Sequence, residues 1–169
     1  MKKTPESFDE KAKEYFDEKK YRTVIVGKQG IKNSDDLVEA IELLADNKLT
    51  ADEREEALKH LKASNPRQAL LKAIDEAVSD EKRARLIAAC WEIDMDCTKD
   101  FLFFVNQACS DDFNVALEAL TVIENIENKI APEQLEEAKK IVTAKIKQKS
   151  ENIDLQVDLL QIIKDREKA

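Results

Sequence analysis

The 169-residue chain has few of the residues that interrupt or bend a helix, with two glycines and three prolines. Aromatic residues make up 5% of the sequence, and β-branched residues rarely alternate with polar ones. Because Gly and Pro mark turns and alternation marks half-buried strands, these shortages argue against an all-β fold. The sequence therefore predicts long helices joined by short links.

Reactive side chains are also scarce, with three cysteines and one histidine, His60. An odd number of cysteines without a tightly spaced pair favours a reducing compartment, and Cys97 is the one thiol predicted to be exposed. One histidine and scattered cysteines cannot build a convincing zinc site. No window reaches the roughly 18 apolar residues of a membrane span. We expect a cytoplasmic protein with no metal, cofactor or catalytic site.

Two short segments resemble ligand-binding loops but lack decisive residues. Residues 27–30, Gly-Lys-Gln-Gly, do not have the glycine spacing of a phosphate loop. Residues 94–105 begin like a calcium loop, yet Lys99 occupies the glycine position and Val105 occupies the position of the final glutamate. We therefore expect neither a phosphate site nor a calcium site.

Positive charge is nearly absent from the middle of the chain. The net charge is −8, and residues 92–127 hold nine acidic residues and one basic residue, Lys99. This balance argues against binding to nucleic acid or to an anionic membrane, both of which require clustered Lys and Arg. It predicts a negative surface for a basic protein or peptide. The alternative is that these acids only begin helices and solvate their outer faces.

Cap and turn residues divide the chain into helix pairs. Thr50 and Glu53 form a predicted capping box, and Pro132 suits the first turn of a helix. Further caps are predicted at Asp80 and at Ser110 or Asp111. We expect an N-terminal helix and a Gly-bounded linker at 1–30, then one helical-repeat domain at 31–169, with pairs at 34–64, 66–94, 98–127 and 132–167.

Two stretches nearly repeat each other at a fixed offset. Residues 70–89 match residues 101–120, with Phe101 standing 31 positions after Leu70. Ser79-Asp80 at the bend is followed by Ala84-Arg85 and then by Ala-Ala-Cys-Trp-Glu-Ile at 88–93. This pattern resembles the second half of a HEAT repeat, and the resemblance covers roughly residues 37–126.

The resemblance implies an all-α fold of antiparallel helix pairs, stacked as a short right-handed solenoid. Small residues such as Ala88 and Ala89 would let neighbouring helices approach closely. In the HEAT family the second helices form a concave surface, and most members are protein-binding scaffolds. The alternative fold is an irregular helical bundle.

We therefore expect a non-catalytic scaffold or adaptor that binds a protein or peptide over its second helices. The alternatives are a small-ligand-binding or enzymatic helical protein, and an immunity-type or structural subunit. Trp91 is either core or an interaction hot spot. Four phenylalanines, at 101, 103, 104 and 113, crowd the fifth predicted helix and its bend. The run at 101, 103 and 104 is predicted to be core, with exposure of Phe103 as an anchor the alternative. The candidate partner-binding residues are Trp91, Glu92, Asp94, Asp96, Glu118 and Glu124.

Overall fold

A computed structural model describes residues 34–168, and 74% of the described chain is helical, without a strand. The all-α class predicted from the sequence is confirmed for these residues, whereas the predicted N-terminal helix and linker at 1–30 lie outside them. A short 3-10 turn, Thr98–Asp100, precedes the fifth helix. The α-helices are α1 (Ser34–Ala45), α2 (Ala51–Ala63), α3 (Arg67–Asp75), α4 (Asp80–Glu92), α5 (Phe101–Ala108), α6 (Phe113–Glu124), α7 (Pro132–Lys147) and α8 (Ile153–Arg166).

Helix α2 and helix α7 begin as their sequences predict. The Thr50 hydroxyl accepts the Glu53 N–H at 3.3 Å, and the Glu53 carboxylate accepts the Thr50 N–H at 2.9 Å. These reciprocal bonds satisfy backbone donors that the first turn leaves without helical partners. Pro132 is the first residue of α7, where its fixed φ suits the helix and its missing N–H costs nothing.

Helix α4 and helix α6 begin next to the predicted caps. Ser79, and not Asp80, caps α4. The cap of α6 is Asp112, which replaces the predicted Ser110 or Asp111. In both helices the capping side chain accepts a backbone N–H of the first turn. Where two or three cap-forming residues are adjacent, helical propensity does not choose among them, and the packing of the first turn decides.

The helices pack both within and between consecutive pairs. Within pairs, α1 packs against α2, α3 against α4, α5 against α6, and α7 against α8. Between pairs, α4 packs extensively against α6, which in turn packs against α8, while α5 packs against α7. The even-numbered helices from α4 to α8 therefore form one row along the molecule.

Side-chain bonds to backbone carbonyls fix the register of α6 and α8. The Asn152 amide, at the start of α8, donates to the carbonyl of Asp111 at 2.9 Å. The Arg166 guanidinium, at the end of α8, donates to the carbonyls of Ile123 at 2.9 Å and Ile126 at 2.7 Å. Because the start of α8 contacts the start of α6, and the end of α8 contacts the end of α6, the two helices lie side by side and run in the same direction.

The first pair departs from this arrangement. Helix α1 packs against α3 and also directly against α4. Helix α2 packs on α1 and reaches the C-terminal end of α4 through ion pairs, from Arg54 to Glu92 and from Lys62 to Asp94. Helix α4 thus has α1, α3 and α6 around it.

The core is continuous from α1 to α8. Fully buried side chains include Leu44, Ile87, Phe104, Ile123 and Leu159, one from each of five helices. Full burial of an aliphatic or aromatic side chain of this size contributes about 1.5–3 kcal/mol. The core holds the row formed by α4, α6 and α8 in place, so that surfaces on its outer side are built on rigid elements.

Candidate binding surface

A groove runs along the outward face of α4, between α2 and α6, and we call it the α4 groove. Ala84 and Ala88 form its floor, since their small side chains leave space above the helix. Arg54 lies on the α2 side, and Asn114 and Glu118 lie on the α6 side. The space measures about 430 Å³. Concave clefts of this kind are preferred sites for ligands and partner segments.

Trp91 separates the α4 groove from a second pocket. Its indole N–H donates to a carboxylate oxygen of Glu118 at 2.9 Å, which joins the last turn of α4 to the middle of α6. The ring is half-buried and packs against the core. Trp91 is therefore neither fully buried nor fully exposed, and it contributes to the lining of both cavities.

The second pocket lies between the α4–α5 link and the α6–α7 link, and we call it the loop pocket. It measures about 250 Å³. The carboxylates of Asp94, Asp96 and Glu127 lie around it, and none of its described lining residues is Lys or Arg. Its apolar lining residues include Trp91, Met95, Val122 and Ile126.

The structure brings five of the six candidate residues together around Trp91. Trp91 itself lines both cavities, and Glu124 lines neither but is exposed at the end of α6. The others are Glu92 and Glu118 in the α4 groove and Asp94 and Asp96 in the loop pocket.

Four carboxylates of the acidic stretch 92–127 form ion pairs with cations from other helices. Asp100 is the most buried of them at 12% exposure, and Arg67 binds it with two nitrogens, at 2.6 and 2.8 Å. This bidentate bond raises the pKa of Arg67. These charges hold neighbouring helices together. The pairs are Glu92–Arg54, Asp94–Lys62, Asp100–Arg67 and Asp111–Lys145.

The other five carboxylates of the stretch have no ion-pair partner within residues 34–168. Asp112 is occupied as the cap of α6. Hydrogen bonds from the hydroxyl and the N–H of Thr98 lower the pKa of Asp96, which keeps that carboxylate ionised. Residues 100–128 contain no Lys or Arg that could compensate these charges locally. The five are Asp96, Asp112, Glu118, Glu124 and Glu127.

Two large apolar side chains are exposed on the same helix, α6. Phe113 is 54% exposed and Leu117 is 37% exposed, and the two lie one turn apart on one face. Phe113 is the first residue of α6 and lies outside the buried stripe that begins at Val115. Phe103 is half-buried and packs edge-on against the buried Phe104, with ring centroids 5.2 Å apart.

The thiols are less accessible than the sequence suggests. Cys97 is 2% exposed, so the prediction that it is the exposed thiol is wrong. The N–H of Met95 donates to the carbonyl of Cys90 at 3.0 Å, which folds the link back onto the end of α4 and covers Cys97. Cys109 is half-buried, and burial raises the pKa of its thiol.

Other chemistry is not apparent in the described part of the chain. No group of three His, Cys, Asp or Glu side chains is placed to hold a metal ion there. His60 lies in the last turn of α2 and lines neither the α4 groove nor the loop pocket. Among the helices between residues 34 and 168, none has the length and apolar character needed to cross a membrane.

The chain matches no family model, no curated protein and no solved structure. The resemblance to HEAT repeats therefore depends on the sequence pattern alone. The residues that sequence analysis missed at this surface are Glu127, Phe113 and Leu117. Only the charge deficit of 92–127 pointed towards Glu127, and an apolar residue at the start of a helix gives no signal that it is exposed.

Proposed function

We propose that this protein is a non-catalytic scaffold of the HEAT-like type, which binds a basic segment of a partner protein across α4 and α6. The side-by-side row of α4, α6 and α8 agrees with the stacked second helices of such a solenoid. We place the scaffold in the cytoplasm, because free cysteines without a disulfide framework suit a reducing compartment.

The outward face of α6 is the observation that supports this function most strongly. It combines two exposed apolar side chains, Phe113 and Leu117, with the exposed Glu124 and, at its edge towards α4, the half-buried Glu118 that binds the Trp91 indole; neither carboxylate has an ion pair among the described residues. Exposed apolar residues next to polar ones mark interaction surfaces more often than solitary ones do. No Lys or Arg occurs in α6 to compensate its charge.

The expected partner segment is amphipathic and basic. Its apolar residues would pack on Phe113 and Leu117 and beside the half-buried ring of Trp91. Its Lys or Arg side chains would lie near Glu118 and Glu124. Complementary charges of this kind increase the rate of encounter and suppress wrong partners, and their effect weakens as salt is added.

A selection of peptides from a random library tests this function. The full chain is immobilised, and enriched peptides are resynthesised for affinity measurement at several salt concentrations. The variant is Glu118→Lys with Glu124→Lys. The matched control is Glu133→Lys with Glu137→Lys, which makes the same charge change on two exposed positions of α7.

We expect enriched peptides to combine Lys or Arg with apolar residues. The α6 variant should weaken their binding by about tenfold or more, because like charges facing each other cost at least the 1.4 kcal/mol that a factor of ten represents. The α7 control should bind like the natural chain. If both variants bind the peptides equally weakly, the change in net charge alone explains the loss of affinity. If the α6 variant binds as tightly as the natural chain, this surface is not the binding site.

A further inference from the structure

A stretch near the N-terminus has the chemistry expected of the partner segment. Residues 19–34 hold five Lys or Arg side chains and no Asp or Glu, whereas residues 4–18 hold six acidic and two basic residues. Within the first of these stretches, a basic run, Lys-Lys-Tyr-Arg at 19–22, is followed closely by the apolar run Val-Ile-Val at 24–26. We call residues 19–26 the N-terminal basic segment. It precedes the part of the chain that the structure describes.

Glu118 has no ion pair within residues 34–168, although two arginines line the α4 groove beside it. Arg54 is bound to Glu92, with 2.6 Å between Nη2 and Oε2. Arg85 pairs with Glu81 and also donates to a backbone carbonyl of α1. Both local cations are therefore engaged elsewhere, and Glu118 is a carboxylate that a Lys or Arg from outside residues 34–168 can pair with.

Apolar surface lies beside this carboxylate on the outward face of α6. Phe113 is 54% exposed and Leu117 is 37% exposed. Glu124 is exposed further along the same helix, about 10 Å from Leu117 at about 1.5 Å per residue. The N-terminal basic segment is complementary in both respects, because its apolar run can cover the two exposed side chains while its Lys and Arg side chains reach the two carboxylates.

The position of α1 brings the segment within reach of α6. Residues 27–33 separate it from Ser34, the first residue of α1, and seven residues can span at most about 25 Å. Helix α1 has 12 residues and is therefore about 18 Å long. The carbonyl of its last residue, Ala45, accepts a hydrogen bond at 3.1 Å from Arg85, which lines the α4 groove together with Glu118. The connecting residues are thus long enough, since the start of α1 is one helix length from a residue that contacts the wall of the groove.

From these observations we propose that residues 19–26 bind in cis across Phe113, Leu117 and Glu118, so that a partner has to displace them. The inference rests on the proposed function, since it adds a regulation of the same surface. Segment and surface belong to one chain, and a short connection corresponds to an effective concentration of the order of mM. A contact too weak to persist between separate molecules is therefore populated, and the apparent affinity for a partner falls in proportion to the fraction of molecules whose surface is free.

Zero-length cross-linking of the full chain tests the docking without any partner. A carbodiimide activates a carboxylate, a lysine amine attacks the activated carbon, and an amide forms while the reagent leaves as a urea that has taken up the water. Only groups in contact are joined. Proteolysis and tandem mass spectrometry of the monomer fraction identify the joined residues. We expect cross-links from Lys19 or Lys20 to Glu118 or Glu124, with a yield that falls as salt is added.

Peptide affinity tests the regulation. The variant is Lys19→Glu with Lys20→Glu, and the matched control is Lys11→Glu with Lys13→Glu, which makes the same charge change outside the segment. Because its surface is free, the variant should bind the selected peptides about threefold more tightly than the control, or better still. Circular dichroism checks that both chains are folded.

Three results would overturn the inference: no cross-link from Lys19 or Lys20 to α6, cross-links to α6 that form only between molecules, or, for peptides that bind α6, equal affinities of variant and control. Failure of the proposed function looks different, since the selected peptides would then bind the Glu118→Lys, Glu124→Lys chain as tightly as the natural one. In that case the cross-linking, which uses no peptide, still decides whether the segment occupies α6.

Discussion

The acidic stretch 92–127 divides into two sets that look alike in the sequence and differ in the structure. Glu92, Asp94, Asp100 and Asp111 each face a Lys or Arg from another helix. The carboxylates of Glu118 and Glu124, on α6, form no ion pair within residues 34–168, although Arg54 and Arg85 line the same groove as Glu118 and Arg166 donates to the backbone carbonyl of Glu124. The first set joins helices, whereas the second leaves negative charge on an outward face.

Position along the helices accounts for part of the division. The paired carboxylates lie at helix ends and in links, where a neighbouring helix passes close by. Of those without an ion pair, Asp96 and Glu127 also lie in links and Asp112 caps α6, whereas Glu118 and Glu124 are in the body and last turn of α6. A net charge counted along the sequence therefore overstates the charge that is available to a partner.

Aromatic residues should show the same difference between structural and surface positions, and the buried one should give the largest expected effect on stability. Phe104→Ala removes a fully buried ring and should lower the free energy of unfolding by about 3–5 kcal/mol. Phe113→Ala should change it by less than about 0.5 kcal/mol, since that side chain is mostly exposed, and should instead weaken binding of the selected peptides. Urea denaturation of both variants measures the difference. Similar losses of stability would contradict the exposed position of Phe113.

Among the carboxylates, the paired set should matter more to stability. Asp100→Asn leaves Arg67 without its bidentate partner and should cost about 1.5–3 kcal/mol, the usual range for hydrogen bonds to charged groups. Glu124→Gln should stay within about 0.5 kcal/mol of the natural chain. Thermal and chemical denaturation at equal ionic strength compare the two. A larger loss for Glu124→Gln would reverse the assignment of roles.

Asp112 is an exception among the carboxylates without an ion pair, because it still has a structural role. Asp112→Ala removes the side chain that caps α6 and should cost about 1 kcal/mol. Asp112→Asn keeps an oxygen acceptor and should be nearly neutral. If both variants lose the same stability in denaturant titrations, charge near the helix terminus and not the hydrogen bond is responsible.

The smallest expected effect is a pH dependence at Asp96. Its lowered pKa means that the unfolded chain binds the proton more readily than the folded chain does. The stabilisation is present above the ordinary Asp pKa of about 3.9 and is lost as pH falls through the lowered value. The stability gap between the natural chain and Asp96→Asn should therefore narrow between neutral pH and pH near 2. A stability gap that stays constant with pH would show that protonation of Asp96 does not affect the free energy of unfolding.

The sequence predicted the helical class and the capping box at Thr50, and it named as candidates Trp91 and Glu118, which the structure joins by a hydrogen bond. These depend on local periodicity, on caps and on a charge deficit, all of which are visible within a few turns of chain. It did not predict the cations that pair with Asp100 and Asp111, because Arg67 and Lys145 lie more than thirty positions away.

The indole N–H resonance of Trp91 shows directly whether a partner binds across α4 and α6. The chain contains one tryptophan, so the signal is unique, and its partner Glu118 belongs to the surface in question. Titration of the natural chain with a selected basic peptide should shift this resonance along with backbone amides of 113–125. The Glu133→Lys, Glu137→Lys control should give the same shifts. If the peptide binds saturably but the Trp91 resonance and the α6 amides do not shift, the peptide binds elsewhere and α4 and α6 are not the binding surface.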